Sequence, residues 1–166
     1  MSGIINSIGS RSGIIGSTTI RPSSFMAGFT SAAWLENISS GTKVYFNSVT
    51  VNQCFNEGGN FDTTNNRYVA PAHGVYSFTV QVYTGKDQQL SNFQFRIINS
   101  PVSAYENLYM NHGTPFYTGD SGDVVDTSPN YTAILKLLRT QYVEVFTSGA
   151  SDYYTGHTVF FGARLS

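Results

Sequence analysis

Hydrophobic and polar residues alternate along much of the chain, and turn residues interrupt the alternation every few positions. The run 74–83 shows this most clearly, because every second residue is large and apolar: Tyr76, Phe78, Val80 and Val82. A period of two is the spacing of a β-strand, whose successive side chains point to opposite faces of a sheet. We expect this run to be a strand whose aromatic and aliphatic side faces the core.

Similar short runs recur between turn clusters and predict further strands. They are 43–46, 49–51, 93–98, 105–109, 131–138, 142–146 and 158–165. The apolar run 133–138 is also compatible with a helix, but its shortness and the Arg139-Thr140 break favour a strand. Roughly eight to ten short strands with turns between them predict an all-β sandwich or jelly roll.

The first 24 residues differ in composition from the rest. They are rich in Gly, Ser and Ile, they contain no aromatic residue, and SGIINSIGS at 2–10 is nearly repeated as SGIIGSTTI at 12–20. Aromatic residues begin at Phe25. We therefore divide the chain into an extended N-terminal arm, residues 1–24, and a globular head, residues 25–166.

Composition argues against several classes of function. Charged residues make up 11% of the chain and the formal net charge is −1, whereas a nucleic-acid-binding protein shows a basic excess. No apolar stretch has the length of a membrane span. The N-terminus has neither the basic segment nor the continuous apolar segment of a secretory signal, so we expect assembly in a cytoplasm.

Residues with catalytic or metal-binding chemistry are few and scattered. His73, His112 and His157 follow no zinc-ligand spacing. Cys54 is the single cysteine, and we interpret it as a small buried apolar residue. The acidic segment Asp120–Asp126 lacks the alternating positions of an EF-hand loop, so we interpret it as a solvated turn, with calcium binding as the alternative. We expect no catalytic residue, no cofactor and no metal site.

A series of short motifs runs in order through the chain after Phe25 or Phe29. The motifs are Val44-Tyr45-Phe46, Asn52, Asn60-Phe61-Asp62, Arg67-Tyr68-Val69-Ala70-Pro71, Gly74-Val75-Tyr76-Ser77-Phe78 and Phe160-Phe161-Gly162-Ala163-Arg164-Leu165. In this order and spacing, residues 25–165 resemble the complement C1q-like globular head domain. The resemblance implies a ten-stranded antiparallel jelly-roll sandwich related in fold to tumour necrosis factor.

The chain departs from that family's pattern in two places. Thr140-Gln141 stands where the family often has Gly-Asp, and residues 1–24 show no collagen-like period. These departures concern the biological setting more than the fold.

The resemblance also implies a homotrimer with aromatic residues packed around a three-fold axis. The aromatic residues that we assign to this contact, or alternatively to the core of each chain, are Tyr76, Phe78, Tyr142 and Phe160. The high aromatic content, 14% of the chain, is consistent with a large buried interface.

Two kinds of function remain. A secreted complement-type recognition head, which binds a host receptor or glycan, requires a signal peptide and a trimerising stalk that residues 1–24 do not resemble. A structural protein of a tailed-phage virion fits the low charge and the abundance of Gly, Ser, Thr, Asn and Tyr. The stretch 6–16 is also similar to the openings of phage fibre-like proteins.

In the phage interpretation the head is a capsid decoration, a cement or spike protein, or a tail-fibre tip on the virion. Its arm docks on another capsid or tail protein through Ile4, Ile5, Ile14, Ile15 and Arg11. An extended arm can add a strand to an exposed sheet edge, and three tethered arms gain avidity. A host surface glycan is a further possible partner, and neither a nucleic acid nor a membrane is expected.

Overall fold

A computed structural model describes residues 23–83, 92–99, 130–148 and 151–166. These residues form eleven strands, several of them only two to four residues long, and a 3-10 turn at Thr155–His157. The strands are β1 (Ser24–Ala27), β2 (Trp34–Ile38), β3 (Phe55–Glu57), β4 (Phe61–Asp62), β5 (Arg67–Val69), β6 (Gly74–Gln81), β7 (Asn92–Ile98), β8 (Asn130–Leu137), β9 (Tyr142–Ser148), β10 (Ser151–Tyr154) and β11 (Val159–Arg164). The predicted all-β class is confirmed.

The strands pair antiparallel in three sheets. A five-stranded sheet has the order β3-β1-β11-β6-β8, a four-stranded sheet has the order β4-β5-β9-β7, and β2 pairs with β10. Buried side chains from the two larger sheets form one core cluster. This arrangement is a β-sandwich, in which the inward residues of each strand alternate with outward ones.

Strand β6 has the pattern that the sequence predicts. Tyr76, Phe78, Val80 and the following Val82 are fully buried in the core. Burial of each such side chain stabilises the fold by about 1.5–3 kcal/mol. The opposite side of β6 lies on the outer face of the five-stranded sheet.

The core is built largely from the aromatic residues that carry the family resemblance. The ring of Phe25 stacks between those of Phe61 and Tyr68, with both centroids 4.9 Å away. The ring of Phe160 lies nearly perpendicular to that of Phe25, with 4.9 Å between the two centroids. Phe78 lies 5.3 Å from Tyr68. The motifs therefore specify a set of rings that interlock between the sheets.

The predicted strand at 49–51 is wrong. This segment leads into a turn in which the N–H of Cys54 donates to the carbonyl of Val51 at 2.7 Å. Asn52 and Gln53 both have positive φ, at 47° and 66°, a conformation that a strand does not contain. The Val-Thr-Val composition suggested a strand, but the residues that follow bend the backbone.

Four other predicted strands are present in the structure. Strands β7, β8, β9 and β11 occupy the predicted runs, and β8 is a strand and not a helix. The segment 43–46 makes only an isolated bridge at Lys43, although the N–H of Val44 also donates to Val145 of β9 at 2.9 Å. The predicted strand 105–109 lies outside the described residues, as do residues 1–22 of the arm and Asp120–Asp126, whereas Ser24 of the arm begins β1.

The entry of the chain into the head and its last residues lie at the same end of the sandwich. The N–H of Arg164 donates to the carbonyl of Ser23 at 2.9 Å, and the N–H of Val75 donates to that of Ser166 at 3.2 Å. The carbonyl oxygen of Ser166 occupies the position that a Cβ on Gly74 would take. Gly74 is thus required for the close approach of the chain end, because only a residue without a Cβ fits there.

Candidate functional site

The outer face of the five-stranded sheet is the first candidate site. Strand register places one row of outward residues across all five strands: Phe55, Met26, Phe161, Thr79 and Thr132. The adjacent row is Glu57, Ser24, Ala163, Ser77 and Ile134. We call these two rows, together with Val75, Lys136 and Leu165 beside them, the outer face.

Large apolar side chains of the outer face are open to solvent. Ile134 is 69% exposed and Phe55 is 43% exposed, and they lie on the two edge strands β8 and β3. Leu165 is 57% exposed beside Val75. Met26 and Phe161, between the edges, are half-buried. An interrupted apolar stripe therefore crosses the sheet. Phe55, Met26 and Phe161 cover β3, β1 and β11, and Ile134 lies on β8 beyond the hydroxyl-bearing Ser77 and Thr79 of β6.

Charge is sparse on the outer face and differs in sign between its edges. Among the outward positions of the described strands of this sheet, the ionisable residues are Glu57 on β3 and Lys136 on β8. The hydroxyl of Ser24 donates to Glu57 Oε2 at 2.9 Å. A negative edge and a positive edge thus flank a central apolar region.

The four-stranded sheet presents a different outer surface. The guanidinium of Arg96 lies over the ring of Phe146 at 3.8 Å, and that of Arg67 lies over Tyr142 at 4.3 Å. Lys43 forms an ion pair with Glu144 on the same strand as both rings. Cations of the same chain cover these aromatic rings, so this surface suits contact with water.

Three of the four predicted aromatic site residues lie together, with ring centroids 6.2 Å apart for Tyr76 and Phe78 and 6.0 Å apart for Phe78 and Phe160. Tyr76, Phe78 and Phe160 are fully buried in the core of the single chain. This is the second of the two assignments that the sequence left open, the core of each chain and not the contact between copies. Tyr142 lies on the opposite sheet beneath Arg67. None of these four residues belongs to the outer face, so a contact between copies through that face would use other residues.

Sequence reasoning missed the outer face, although β8 carried a signal. Tyr131, Ala133, Leu135 and Leu137 are the buried side of this strand. Ile134, between two of them, is an outward position. The signal on β8 is thus one exposed apolar residue between the polar outward positions Thr132 and Lys136.

The residues with reactive chemistry do not form a site within the described part of the chain. His73 lies next to Gly74 at the entry end, and His157 lies at the opposite end, before β11. Cys54 is a buried free cysteine, and burial raises the pKa of its thiol. Among the described residues, no group of three or more His, Cys, Asp or Glu side chains could hold a metal ion. His112, Asp120–Asp126 and the arm residues lie outside this part.

Four rings form a second surface feature, the aromatic quartet: Trp34, Tyr83, Tyr154 and His157. The Trp34 ring lies 5.2 Å from Tyr154 and 6.1 Å from Tyr83. The His157 ring lies 5.1 Å from Tyr83 and 5.4 Å from Tyr154. The two tyrosines, 6.0 Å apart, are thus central, with Trp34 and His157 on the flanks.

Solved structures share the fold of this chain. Eiger TNF from S. frugiperda aligns with a TM-score of 0.61 and 15% identity, covering 88% of this chain and 94% of that one. The globular domain of a zebrafish complement 1qA protein aligns with a TM-score of 0.53 and 13% identity, covering 87% and 98%. The fold is therefore a C1q/TNF-like antiparallel jelly roll, as the sequence motifs predicted.

The chain is also similar in sequence to a bacterial protein. The chain is 30% identical over 119 residues to a Bacillus subtilis (strain 168) protein described as uncharacterized protein YqcC. The match covers 72% of this chain and 30% of that protein, so the chain spans less than a third of this relative's length. No family model matches the chain. Within the described residues, no helix is long and apolar enough to cross a membrane.

Proposed function

We propose that the protein is a non-enzymatic, homotrimeric head that serves as a structural protein of a tailed-phage virion. The observation that carries this proposal is the open apolar outer face of the five-stranded sheet. Apolar surface gains about 25 cal/mol for each Å² removed from water. A face with exposed Phe55, Ile134 and Leu165 favours contact with another protein surface over contact with water.

A second copy of the chain is the partner that this face fits best. Its two edges carry opposite charges, Glu57 on β3 and Lys136 on β8, around the same apolar stripe. A ring of identical subunits brings different edges of neighbouring copies together, and such a head-to-tail contact closes when the rotation fits. The resemblance to the C1q-like head implies that the ring has three copies.

The virion role rests on the sequence and on where the arm enters the head. Low charge and the apolar steps of residues 1–24 favour a subunit that docks on a larger assembly, either capsid or tail. Because Ser23 lies at one end of the sandwich, three-fold symmetry would place all three arms at the same end of the trimer. Simultaneous docking of three arms would then give avidity. In this proposal the protein is located on the virion and is assembled in the host cytoplasm.

Deletion of residues 2–20 tests the docking role. In the phage that encodes the chain, we expect the shortened protein to fold and trimerise but to be missing from purified particles. A full-length chain with Ile4, Ile5, Ile14 and Ile15 replaced by Ser isolates the contribution of the isoleucines. Normal incorporation of both variants would contradict docking through the arm.

A second candidate function is recognition of a receptor or glycan by the head. The aromatic quartet favours it, since Trp34 is 45% exposed and large rings at a surface are frequent in binding sites. The two functions are compatible, because a virion spike or fibre tip can also contact the host surface.

A further inference from the structure

We propose that the aromatic quartet is a saccharide-binding subsite that stacks an uncharged sugar residue of a surface glycan. This proposal rests on the second candidate function, recognition by the head, and gives that function a location. It does not depend on the docking of the arm.

The quartet has the shape of a faceted platform. Neighbouring rings are tilted by 41° between Trp34 and Tyr83, by 45° between Trp34 and Tyr154, and by 66° between the two tyrosines. Trp34 and His157, on the flanks, are both exposed, whereas the two tyrosines are half-buried. A ligand can therefore contact ring faces and also reach the polar atoms at the rim.

Two buried threonines hold the backbone under the quartet. The hydroxyl of Thr155 donates to the carbonyl of Ser31 at 2.8 Å and accepts from the N–H of Ala33 at 2.8 Å. The hydroxyl of Thr158 donates to the carbonyl of Tyr154 at 2.8 Å and accepts from the N–H of Tyr83 at 3.1 Å. The platform is thus formed before any ligand binds, which lowers the entropic cost of binding.

Gly156 allows one central ring to lie directly on the backbone. A Cβ at this position would be 2.5 Å from Cε1 of Tyr154 and 3.0 Å from Cβ of Ala32. The Tyr154 ring therefore packs against the 3-10 turn. Its position is determined by the turn as well as by the neighbouring rings.

The chemistry of the quartet suits a sugar better than a cation or a nucleic acid. A pyranose ring presents a face of C–H groups that can pack on the electron-rich face of an aromatic ring, while its hydroxyl groups bond to ring N–H and O–H groups. A quaternary ammonium ligand has no atom that could accept hydrogen bonds from the ring N–H and O–H groups. The formal net charge of −1 does not favour a polyphosphate chain.

The quartet lies at the end of the sandwich opposite Ser23, where the chain enters the head. Strand β6 begins beside Ser166, at the entry end, and Tyr83 follows the other end of the strand. An eight-residue strand spans about 26 Å, at about 3.3 Å per residue. If the arm faces the virion, the quartet faces away from it, where a host glycan is accessible.

Tryptophan fluorescence tests the subsite directly, because Trp34 is the single tryptophan of the chain. The full-length protein is titrated with lactose, maltose and N,N′-diacetylchitobiose, and with choline chloride as the cationic probe. The labelled protein is also applied to a glycan microarray. We expect a saturable change in emission with at least one saccharide and none with choline, together with array binding to glycans that contain this sugar.

Variants that keep Trp34 identify the platform. Tyr154→Ala is expected to weaken saccharide binding about tenfold, the loss expected for one stacked ring, and His157→Ala, at an exposed flank, to weaken it less. Tyr45→Ala is the matched control, since Tyr45 is 58% exposed and lies outside the quartet. Melting temperature and oligomeric mass verify that each variant folds.

Three results would overturn the proposal. They are no saturable response to any saccharide together with an empty array, a response to choline alone, and unchanged saccharide affinity in both Tyr154→Ala and His157→Ala. A correctly folded trimer that binds no saccharide would reject the subsite and leave the trimeric head intact. A monomer that binds saccharide would support the subsite and contradict the trimeric head.

Discussion

At the scale of single residues, the glycine of the C-terminal motif has a clear steric role. A Cβ on Gly162 would lie 2.6 Å from the carbonyl oxygen of Ser77 and 2.7 Å from Cδ1 of Phe78. It would also lie 3.0 Å from Cε1 of Phe25. The Phe-x-Gly-x-x-Leu pattern thus leaves room for two core rings on the neighbouring strands.

Replacing Gly162 with Ala should destabilise the head by about 1–3 kcal/mol, because the core rings and a strand carbonyl must move. Urea denaturation of the two proteins measures the difference in the free energy of unfolding. Gly28→Ala is the comparison with a smaller clash, since its Cβ would come no nearer than 3.3 Å to another atom, Sγ of Cys54, and it should lose less stability. Equal stability of Gly162→Ala and the natural protein would contradict the role given to Gly162.

Two buried tyrosines predict a loss of stability at alkaline pH. Burial raises the pKa of Tyr68 and that of Tyr153 from 10.0 to about 12. Below pH 10 both hydroxyls are protonated in the folded and unfolded states, so they contribute no pH dependence. Between pH 10 and 12 the unfolded chain ionises first, and the free energy of unfolding therefore falls as pH rises.

Chemical denaturation at a series of pH values from 9 to about 12 measures this fall. Tyr153→Phe has no ionisable hydroxyl and should show a shallower dependence on pH. An equally steep dependence in Tyr153→Phe would show that other groups cause the fall.

At the scale of elements, alternation predicts a strand well where only one of its sides is apolar. Both strand β6 and the side of it that faces the core were predictable, because the polar residues Ser77 and Gln81 alternate with the apolar ones. Strand β8 was predictable as a strand, but the pattern did not reveal that Ile134, between the polar outward residues Thr132 and Lys136, stays exposed after folding. The prediction of a strand at 49–51 was wrong because the conformation there depends on the positive φ of Asn52 and Gln53. The β-branched residues before them give no sign of this backbone turn.

Interactions between elements that are distant in sequence were beyond prediction. The quartet joins residues 34, 83, 154 and 157, which no local pattern connects. The hydroxyl of Thr155 links the 3-10 turn to residues 31–33, more than a hundred positions earlier in the sequence. Such a link depends on the completed fold.

Thr155→Val keeps the side-chain shape but removes the hydroxyl that accepts from Ala33 N–H. We expect the free energy of unfolding to fall by about 1–3 kcal/mol, the cost of a polar group left unpaired. Thr64→Val is the matched control, because Thr64 is exposed. If urea denaturation gives the same value for both variants, the hydroxyl of Thr155 does not stabilise the turn.

At the scale of the whole molecule, the two large sheets have opposite characters. One presents cations over its own aromatic rings, and the other presents an apolar stripe between a negative and a positive edge. The jelly roll was predictable from its motifs because those residues form its core. The outer face was not predictable, because it depends on which outward residues remain uncovered after folding.

The oligomeric mass of the full-length protein tests the central proposal most directly. Sedimentation velocity should give a species of three times the chain mass of 18.2 kDa for the natural protein. Ile134→Lys places a charge in the apolar stripe and should shift the mass to that of one chain, while Tyr45→Lys, outside the outer face, should leave the trimer intact. A stable monomer of the natural protein, or a trimer unaffected by Ile134→Lys, would contradict association through the outer face.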